Sequence, residues 1–385
     1  MKRSVTAFYA LIQALYWIGY GLMFSYASLY LQSRGFGDGS IGLVLGTIYL
    51  LSSLLQPAFA RLVGRSRVRL NVIMSGVYLL VTLLSLSMWL LPLRGAALAV
   101  VMVALFMLVN AMQPSINSLH HGFEVNGTHV NFGLARGTGS GCYAVMMLLM
   151  GQLLSHVAAD ILPACYMTSQ LLLTICLAVF RVPDYRPGST GRSRSYRDIL
   201  RENPRFMLFL AGEMGLGLAH IFIDNFLLQI MQTMGGDSSN LGITIAIAGF
   251  TELPAMALYA RMSRRVGNRN MLRIMSCAWL AKDVLVLLAW HPAVIYVSAL
   301  LQFFAFAVYV PAEVEYISST LPEEDFLAGQ SLQGSAWTIG SLVATFLGGQ
   351  LIETMGVHGA LGVILVFAAA GAVLMMLCTA KSKKI

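Results

Sequence analysis

Carboxylic acids interrupt long apolar stretches in the C-terminal half of the sequence. They include Glu213, Asp224, Glu252 and Glu313. An ionised residue at the middle of a membrane helix costs roughly 2.5 to 3.5 kcal/mol, so each acid needs a cation, water or a proton. The chemistry that these residues predict is reversible proton binding. Lys282 lies in the same half, and a buried structural ion pair between Lys282 and one of the acids is the alternative interpretation.

The spacing of these acids indicates which of them share a helix face. Glu213 and Asp224 are eleven residues apart, which is about three helical turns, so they lie on the same face. Glu313 and Glu315 are two residues apart, or roughly 200° around a helix. We therefore expect at most one of these two glutamates to face a central cavity.

A basic and an aromatic residue mark the stretch FGLARGTGSGCYAVMMLLMGQLL, residues 132–154. Arg136 and Tyr143 are seven residues apart, so they share one face of a helix. A guanidinium binds hydroxyl or carboxylate groups in a fixed geometry, and small residues allow a neighbouring helix to approach closely. The pattern predicts a solute-binding face. In the alternative interpretation, Arg136 extends to the cytoplasmic membrane surface.

Amide and hydroxyl side chains supply further candidate solute contacts. Gln56, Asn225 and Gln229 have both donors and acceptors for a polar solute. Asn225 and Gln229 are four residues apart and are predicted to share a helix face. Tyr26 is a further candidate from an aromatic-rich first stretch, although such stretches more often serve packing.

The elements that hold these residues are predicted to be membrane helices. Of 385 residues, 57% are hydrophobic and 11% are charged, whereas a soluble domain has about 25% charged residues. Twelve apolar runs are each about 20 residues long, enough to cross roughly 30 Å of hydrocarbon, and unbroken runs exclude a membrane β-barrel. The predicted spans are 6–32, 40–61, 70–92, 96–119, 132–155, 161–181, 206–234, 240–261, 270–290, 292–318, 327–351 and 356–379.

The basic residues indicate the orientation of the chain. Most of the 25 lysines and arginines fall in loops on one side, as expected for cytoplasmic loops. Arg34 and Arg94 lie in the opposite loops. We therefore predict a multi-pass protein of the inner (cytoplasmic) membrane, in contact with lipid and with both termini in the cytoplasm. This sidedness explains the net charge of +8, so nucleic acid is not an expected partner.

The sequence divides into two halves that resemble each other. The polar, basic segment 182–204 is predicted to be a cytoplasmic linker between two six-helix bundles, 1–181 and 205–385. FARLVGRSRVRLNVIMS, after the second predicted helix, has a counterpart in YARMSRRVGNRNMLRIMS after the eighth. Repeated halves are typical of secondary transporters, whose substrate site lies near the midplane between the repeats. The predicted fold is therefore all-α, with twelve transmembrane helices in two pseudo-symmetric bundles.

Motifs of other function classes are missing from the sequence. The GxxxxGK[ST] phosphate loop, HExxH and GxSxG do not occur, which argues against an ATP-driven pump and an enzyme. The cysteines do not have the spacing of metal ligands. The cluster of His120, His121 and Glu124 could bind a metal, but no third ligand group is evident. We expect no metal and no cofactor. A membrane sensor or receptor remains the competing class.

Together these features resemble the major facilitator superfamily over essentially the full chain. The two basic loops are similar to its loop signature, G-x-x-x-D-R-x-G-R-R/K. Gly64, Arg65 and Gly267 fit the end of that signature, whereas Arg61 and Arg264 stand where the acid is expected. The stretches SSLLQPAFARLVG, NFGLARGTGSGCY and GGQLIETMGVHGA resemble the lactose permease-like branch of oligosaccharide/proton symporters and the related phenylpropionate and nucleoside permeases. The resemblance implies the major facilitator fold and a transport function.

The resemblance to the symporter branch also implies roles for individual residues. Arg136 matches the arginine of an F-G-x-A-R motif, which holds the sugar in that branch. Tyr143 matches an aromatic residue that stacks on the sugar ring. Glu252 stands at a glutamate that contacts the sugar and helps to couple the proton. Asp224 matches an acid of the seventh helix, and Lys282 matches a basic residue of the ninth.

Other positions depart from that branch. Ala299, Gln302 and Ala305 stand where a lysine, a histidine and a glutamate of the tenth helix are expected, so proton coupling must differ. Ile221 and Trp337 replace another ion pair. Ser118 replaces a sugar-binding acid, which argues against galactosides as the solute.

We therefore predict a proton-coupled symporter that imports a small polar organic solute by alternating access, acting as a monomer. The predicted solute is a sugar, an oligosaccharide or a nucleoside, and sodium is the alternative coupling ion. The alternatives are an aromatic carboxylate (phenylpropionate-like) permease and a drug/proton antiporter. The predicted substrate contacts are Arg136, Tyr143, Glu252, Asn225, Gln229, Gln56 and Tyr26. The predicted coupling residues are Asp224, Glu252, Glu213, Lys282 and Glu313.

Overall fold

The computed structural model describes residues 2–66, 68–120, 123, 128, 130–180 and 195–380. Within them, the side chains of 2–4, 57, 60–65, 118, 324 and 327 are not described. Residues 182–194 of the predicted linker lie outside the described residues, as do His121 and Glu124. The chain divides into two compact units, Met1–Ser189 and Thr190–Ile385, and each unit is described by itself.

The N-terminal unit is built from long helices. The first, α1, comprises Lys2–Tyr20, a π-helical segment Gly21–Ser25 and Ala27–Ser33. The others are α2 (Asp38–Arg65), α3 (Leu70–Leu90), α4 (Gly95–Ser118), α5 (Phe132–Leu154) and α6 (Leu162–Val179). In this unit α1 packs against α5 and α6, α2 against α4, and α3 against α6.

The C-terminal unit repeats this construction. A short helix, Tyr196–Glu202, precedes α7, which comprises Pro204–Asn225 and Leu227–Gln232. The next helices are α8 (Ser238–Val266), α9 (Asn268–Leu287) and α10, which comprises Pro292–Leu300, the 3-10 turn Leu301–Phe303 and Phe306–Thr320. The helix Phe326–Cys378 is interrupted at Gly356, so we divide it into α11 (326–355) and α12 (357–378).

Within the described residues, nine helical stretches are long and apolar enough to cross a membrane. The last, Ala328–Cys378, contains two spans, because Gly356 has a non-helical backbone with φ 73° and ψ 172°. α5, with Arg136, and α9, with Lys282 and Asp283, are not among the nine, yet at 23 and 20 residues they have the length of a span. These helices together make the twelve predicted spans, which confirms the predicted fold class.

The two units share backbone features at the same spacing. α1 is interrupted at Tyr26 and α7 at Phe226, where both residues have similar non-helical dihedral angles. Each interrupted helix is followed by a glycine with positive φ, Gly35 at 85° and Gly235 at 75°. The next helices begin at residues 38 and 238. The repeat that the two basic loops suggested therefore extends to the path of the backbone.

Two connections contain helix. At the end of the predicted linker Tyr196–Glu202 is helical, and Ile199 is fully buried in the core of the C-terminal unit. The predicted gap between the last two spans, residues 352–355, is helical, and the chain turns at Gly356 alone. Only a glycine adopts this positive φ without strain, so one residue suffices as the connection.

Candidate functional site

In the N-terminal unit, glycines bring α1 and α5 into close contact. A Cβ atom on Gly139 would lie 2.7 Å from the Trp17 ring, and one on Gly21 would lie 2.9 Å from the Tyr143 ring. Gly21 begins the π-helical segment of α1, a type of helix distortion that often occurs at functional sites. The predicted close approach at the glycines of α5 therefore occurs at Gly139.

Arg136 lies between an aromatic ring and a hydroxyl group. Its guanidinium carbon is 4.0 Å from the centroid of the Trp17 ring, and its Nη1 donates a hydrogen bond to Ser140 Oγ at 2.6 Å. The Trp17 and Tyr143 rings meet edge to face with centroids 6.5 Å apart. The three large side chains are half-buried. The structure thus brings the predicted pair Arg136 and Tyr143 together around Trp17, and we call these residues with Ser140 the Arg136 cluster.

Hydrogen bonds fix the rings of this cluster. The Trp17 indole N–H donates to Gln13 Oε1 at 3.2 Å, and Gln13 is itself fully buried. The hydroxyls of Tyr143 and Ser25 are 3.0 Å apart, which ties α5 to the π-helical segment. Because these hydrogen bonds fix the positions of the rings, the exposed parts of the rings form a pre-organised surface of aromatic and donor groups.

The remaining predicted residues of this unit lie elsewhere. Tyr26 is fully buried, and its hydroxyl donates to the Met147 carbonyl oxygen at 2.8 Å. This is the packing role that aromatic residues of the first helix often have. Gln56 is half-buried on α2, and among the described residues no hydrogen bond joins it to the Arg136 cluster.

In the C-terminal unit, three polar side chains form a chain of hydrogen bonds across α9, α10 and α8. Lys282 Nζ donates to Gln302 Oε1 at 2.9 Å. Gln302 Nε2 donates in turn to Glu252 Oε1 at 3.3 Å. Lys282 and Gln302 are buried, and Glu252 is half-buried. We call this arrangement the Lys282 chain.

The alternative interpretation of Lys282 was a direct ion pair with an acid, and the structure has this indirect link instead. Within the described part of the chain, no carboxylate lies at ion-pair distance from Lys282. The neighbouring Asp283 is buried, and neither of its carboxylate oxygens has a hydrogen-bond partner. A buried ionised group without partners is costly, so the balance of charge here depends on where protons are bound.

Asp224 pairs with a histidine one helical turn before it. The distance from His220 Nε2 to Asp224 Oδ2 is 3.5 Å, with the histidine buried and the aspartate side chain 50% exposed. The His220 ring packs among the rings of Trp279, Phe306 and Trp337. The pair therefore connects the half-exposed carboxylate of Asp224 with the buried aromatic residues around His220.

Glu213 and Glu313 lie near one tyrosine of α10. The Tyr309 hydroxyl and the Gln333 amide both donate hydrogen bonds to Glu213, and Glu313 follows Tyr309 by one helical turn on α10. Glu315 points elsewhere, because it accepts hydrogen bonds from Tyr259 and Ser263 at 2.7 and 3.0 Å. That at most one of Glu313 and Glu315 faces a central cavity stays a prediction.

Asn225 and Gln229 lie on either side of the interruption of α7. Asn225 is the last residue of the first segment, and Phe226 separates it from Leu227–Gln232. The Asn225 amide donates to Thr345 Oγ1 on α11 at 3.4 Å. Both amide side chains are buried. The predicted regular spacing of four residues along one helix is therefore broken at Phe226.

Several residues of these clusters were not among the predicted sites. They are Trp17, Ser140, Gln302, His220, Tyr309 and Gln333. Gln302 was detectable as a polar residue at the position of the symporter histidine, and His220 as a basic residue four before Asp224. The contacts of Trp17 and Tyr309 depend on how neighbouring helices are rotated, which spacing along one helix does not encode.

Comparison with known proteins identifies similar families and folds. The family model described as "MFS_1 like family" matches residues 7–372. A point mutant of the nucleoside transporter NupG superposes with a TM-score of 0.83 at 15% identity, covering 97% of this chain and 98% of that chain. A bacterial homolog of the human lysosomal transporter Spinster superposes with a TM-score of 0.71 at 14% identity, covering 98% and 97%. Among curated proteins, none matches this chain by sequence.

Proposed function

Because the chain belongs to the MFS_1-like family of major facilitator transporters, we propose that this multi-pass membrane transporter is a proton-coupled symporter. It imports a small polar organic solute by alternating access. The solute is a nucleoside or a sugar. The protein works as a monomer in the inner membrane, with both termini in the cytoplasm.

The observation that carries the choice of solute is the Arg136 cluster. The guanidinium of the half-buried Arg136 lies 4.0 Å from the Trp17 ring and carries planar donors, while Trp17 and Tyr143 offer aromatic surface. A nucleoside has a planar base that stacks on aromatic rings and a ribose whose hydroxyls accept hydrogen bonds from arginine. A sugar uses the same donors and the faces of the rings. The shared fold of the nucleoside transporter NupG agrees with this choice.

The Lys282 chain supports coupling to protons. Gln302 links the buried Lys282 to the half-buried Glu252. A change in the charge of Glu252 therefore changes the electrostatic environment of Lys282. When Glu252 binds a proton, it loses its negative charge, and the cost of enclosing this part of the membrane interior falls. Asp224, with its partner His220, is the second acid that can respond in this way. Sodium is the alternative coupling ion at these acids.

A second candidate function is the transport of an aromatic carboxylate. The same guanidinium that donates to hydroxyls can bind a carboxylate through two parallel hydrogen bonds. The contact of Arg136 with Trp17 places a cation beside aromatic surface, which also fits a solute with an acid group and a ring.

Electrical recording from proteoliposomes tests the proposal. Uridine, adenosine, glucose, lactose and phenylpropionate are added separately, at several pH values and without sodium. An inward, sodium-independent current with a neutral nucleoside or sugar supports proton symport. Silence with the neutral solutes and a pH-dependent signal with phenylpropionate supports the aromatic carboxylate function instead. A current that requires sodium contradicts proton coupling.

The variant Glu252→Gln tests the role of the Lys282 chain with the active solute. We expect exchange of solute across the membrane to persist and uphill accumulation to be lost, because glutamine does not titrate. Glu353→Gln is the matched control, since Glu353 is exposed on α11. If Glu252→Gln accumulates solute as the wild type does, Glu252 is not a coupling residue.

A further inference from the structure

Gln13 of α1 lies where α1 and α5 approach each other closely. A Cβ atom on Gly139 of α5 would lie 3.2 Å from the Gln13 backbone oxygen, and Gln13 is 0% exposed. Its Oε1 accepts the hydrogen bond of the Trp17 indole N–H, one helical turn further along α1. A buried amide also needs acceptors for its N–H groups, and those acceptors decide how the amide is held.

The N–H groups of this amide bind the neighbouring Tyr9 and the end of α4. Gln13 Nε2 donates to the Tyr9 hydroxyl oxygen at 2.8 Å and to Asn117 Oδ1 at 3.3 Å. The hydroxyl of the fully buried Tyr9 donates in turn to the backbone carbonyl oxygens of Ile116 and Asn117, each 3.1 Å away. These carbonyls lie in the last turn of α4, where backbone oxygens have no partner within the helix. The hydrogen bonds that begin at Trp17 therefore end on the backbone of α4.

The two ends of this network fix the orientation of the Gln13 amide. An indole N–H can only donate a hydrogen bond, and a backbone carbonyl oxygen can only accept one. The Tyr9 hydroxyl therefore gives its hydrogen to α4 and presents its oxygen to Gln13 Nε2, which leaves Oε1 for Trp17. If the amide were turned over, Nε2 would face the indole N–H, and two donors would oppose each other. The network thus allows one orientation of Gln13.

The position of the Trp17 ring matters because Arg136 lies over it. The guanidinium carbon is 4.0 Å from the ring centroid, and the attraction between a cation and an aromatic face depends on where the face lies. Without its hydrogen bond to Gln13, the half-buried ring could turn about its side-chain bonds. The ring and the guanidinium would then have to be ordered when a solute binds, which lowers affinity.

We propose that Gln13 is a positioning residue for solute binding, oriented by the end of α4 and orienting Trp17 beneath Arg136. Because Gln13 is fully buried, it acts through Trp17 and does not touch the solute. This role rests on the proposed function, in which the Arg136 cluster binds the solute. It adds Tyr9 and Asn117, which lie outside that cluster, to the residues that determine affinity.

Fluorine NMR of protein labelled with fluorotryptophan tests the position of the ring without any solute. The Trp17 resonance is identified by its absence from Trp17→Phe. We expect Gln13→Met to shift this resonance, because methionine has a similar length but only a weak acceptor. Tyr9→Phe should cause a smaller shift, since Gln13 keeps its bond to Asn117. Gln32→Met, the same change elsewhere on α1, is the matched control and leaves the resonance in place.

Solute affinity is the second measurement, made with radiolabelled uridine, glucose and phenylpropionate on the purified protein. We expect Gln13→Met to weaken binding of the recognised solute about tenfold, because ordering the two side chains then opposes binding. Gln13→Glu should bind more tightly than Gln13→Met, since a glutamate in either protonation state keeps an oxygen that accepts from the indole. Gln32→Met should bind as the wild type does. If Gln13→Met does not fold, Tyr9→Phe serves for both measurements.

The outcomes separate this role from the proposed function. An unchanged Trp17 resonance in Gln13→Met overturns the role of Gln13, and an unchanged resonance in Tyr9→Phe overturns the part assigned to α4. A shifted resonance with wild-type affinity, or an equal loss of affinity in Gln13→Met and Gln13→Glu, contradicts positioning by the hydrogen bond and leaves the proposed function standing. If the wild type binds none of the three solutes, the proposed function fails, while the fluorine spectrum still decides whether Gln13 positions Trp17.

Discussion

At the scale of single residues, the position of Arg136 depends on an aromatic partner. A guanidinium over an indole ring gains about 0.5 to 2 kcal/mol, depending on how much water is excluded. The hydrogen bond from Trp17 to Gln13 fixes the ring, and the hydrogen bond to Ser140 directs one edge of the guanidinium. The arginine is thus oriented before a solute arrives, which lowers the entropy cost of binding.

Replacing Arg136 by lysine tests whether this orientation matters. We expect Arg136→Lys to weaken solute binding at least about tenfold, or about 1.4 kcal/mol, because an ammonium group lacks the planar fork. Binding of radiolabelled solute to the purified protein measures the effect. Arg34→Lys is the matched control, since Arg34 also lies over a tyrosine ring and pairs with Asp160. Equal affinities for Arg136→Lys and wild type would favour the alternative in which Arg136 only reaches the membrane surface.

Sequence reasoning reached part of these clusters. The seven-residue spacing predicted that Arg136 and Tyr143 share a helix face, and the two share Trp17 as a neighbour. The rotation of α10 against α7 and α9 decides which polar groups meet, and no pattern along one helix contains that information. For this reason the contacts of Gln302 and Tyr309 required the structure.

At the scale of elements, small residues set the distances between helices. In the C-terminal unit a Cβ atom on Gly371 of α12 would lie 2.7 Å from the Gly212 carbonyl oxygen and 2.8 Å from the Leu216 nitrogen. Both neighbours belong to the backbone of α7, which cannot move aside as a side chain can. Close backbone approach replaces the hydrophobic effect as the source of helix association in lipid.

Gly371→Ala is therefore expected to destabilise the protein. Overpacking of this kind costs about 1 to 3 kcal/mol, which should lower the midpoint of thermal unfolding in detergent. Gly362→Ala on the same helix is the control, because a Cβ atom there has no neighbour within 4 Å; alanine also favours a helix by about 1 kcal/mol over glycine. If both variants unfold at the same temperature, the contact between α7 and α12 has more room than the structure indicates.

The helices themselves were predictable because membrane spans are long, continuous apolar runs. Their interruptions were not. The π-helical segment of α1 and the breaks of α7 at Phe226 and α10 before Phe306 contain ordinary apolar residues, and proline or glycine does not mark each of them. Such distortions arise from packing against neighbouring helices, so composition gives no signal.

At the scale of the whole molecule, the asymmetry of basic residues makes a prediction about sidedness. Val68, between α2 and α3, should face the cytoplasm, and Arg94, between α3 and α4, should face outward. Both are exposed. In intact cells, a membrane-impermeant maleimide should label Arg94→Cys and leave Val68→Cys unlabelled until the cells are permeabilised. The parent protein, with its native cysteines, measures background labelling, and the reverse pattern would invert the predicted topology.

The matching interruptions of α1 and α7, and the matching glycines Gly35 and Gly235, show one backbone plan used twice with different side chains. The copy with the Arg136 cluster contributes aromatic and donor groups, whereas the copy with Glu213, Glu252 and Glu313 contributes the titratable acids. Under the proposed function, mutations that change which solute is carried and mutations that change how protons are used fall in different halves of the gene. Natural selection can then alter cargo and energy source independently.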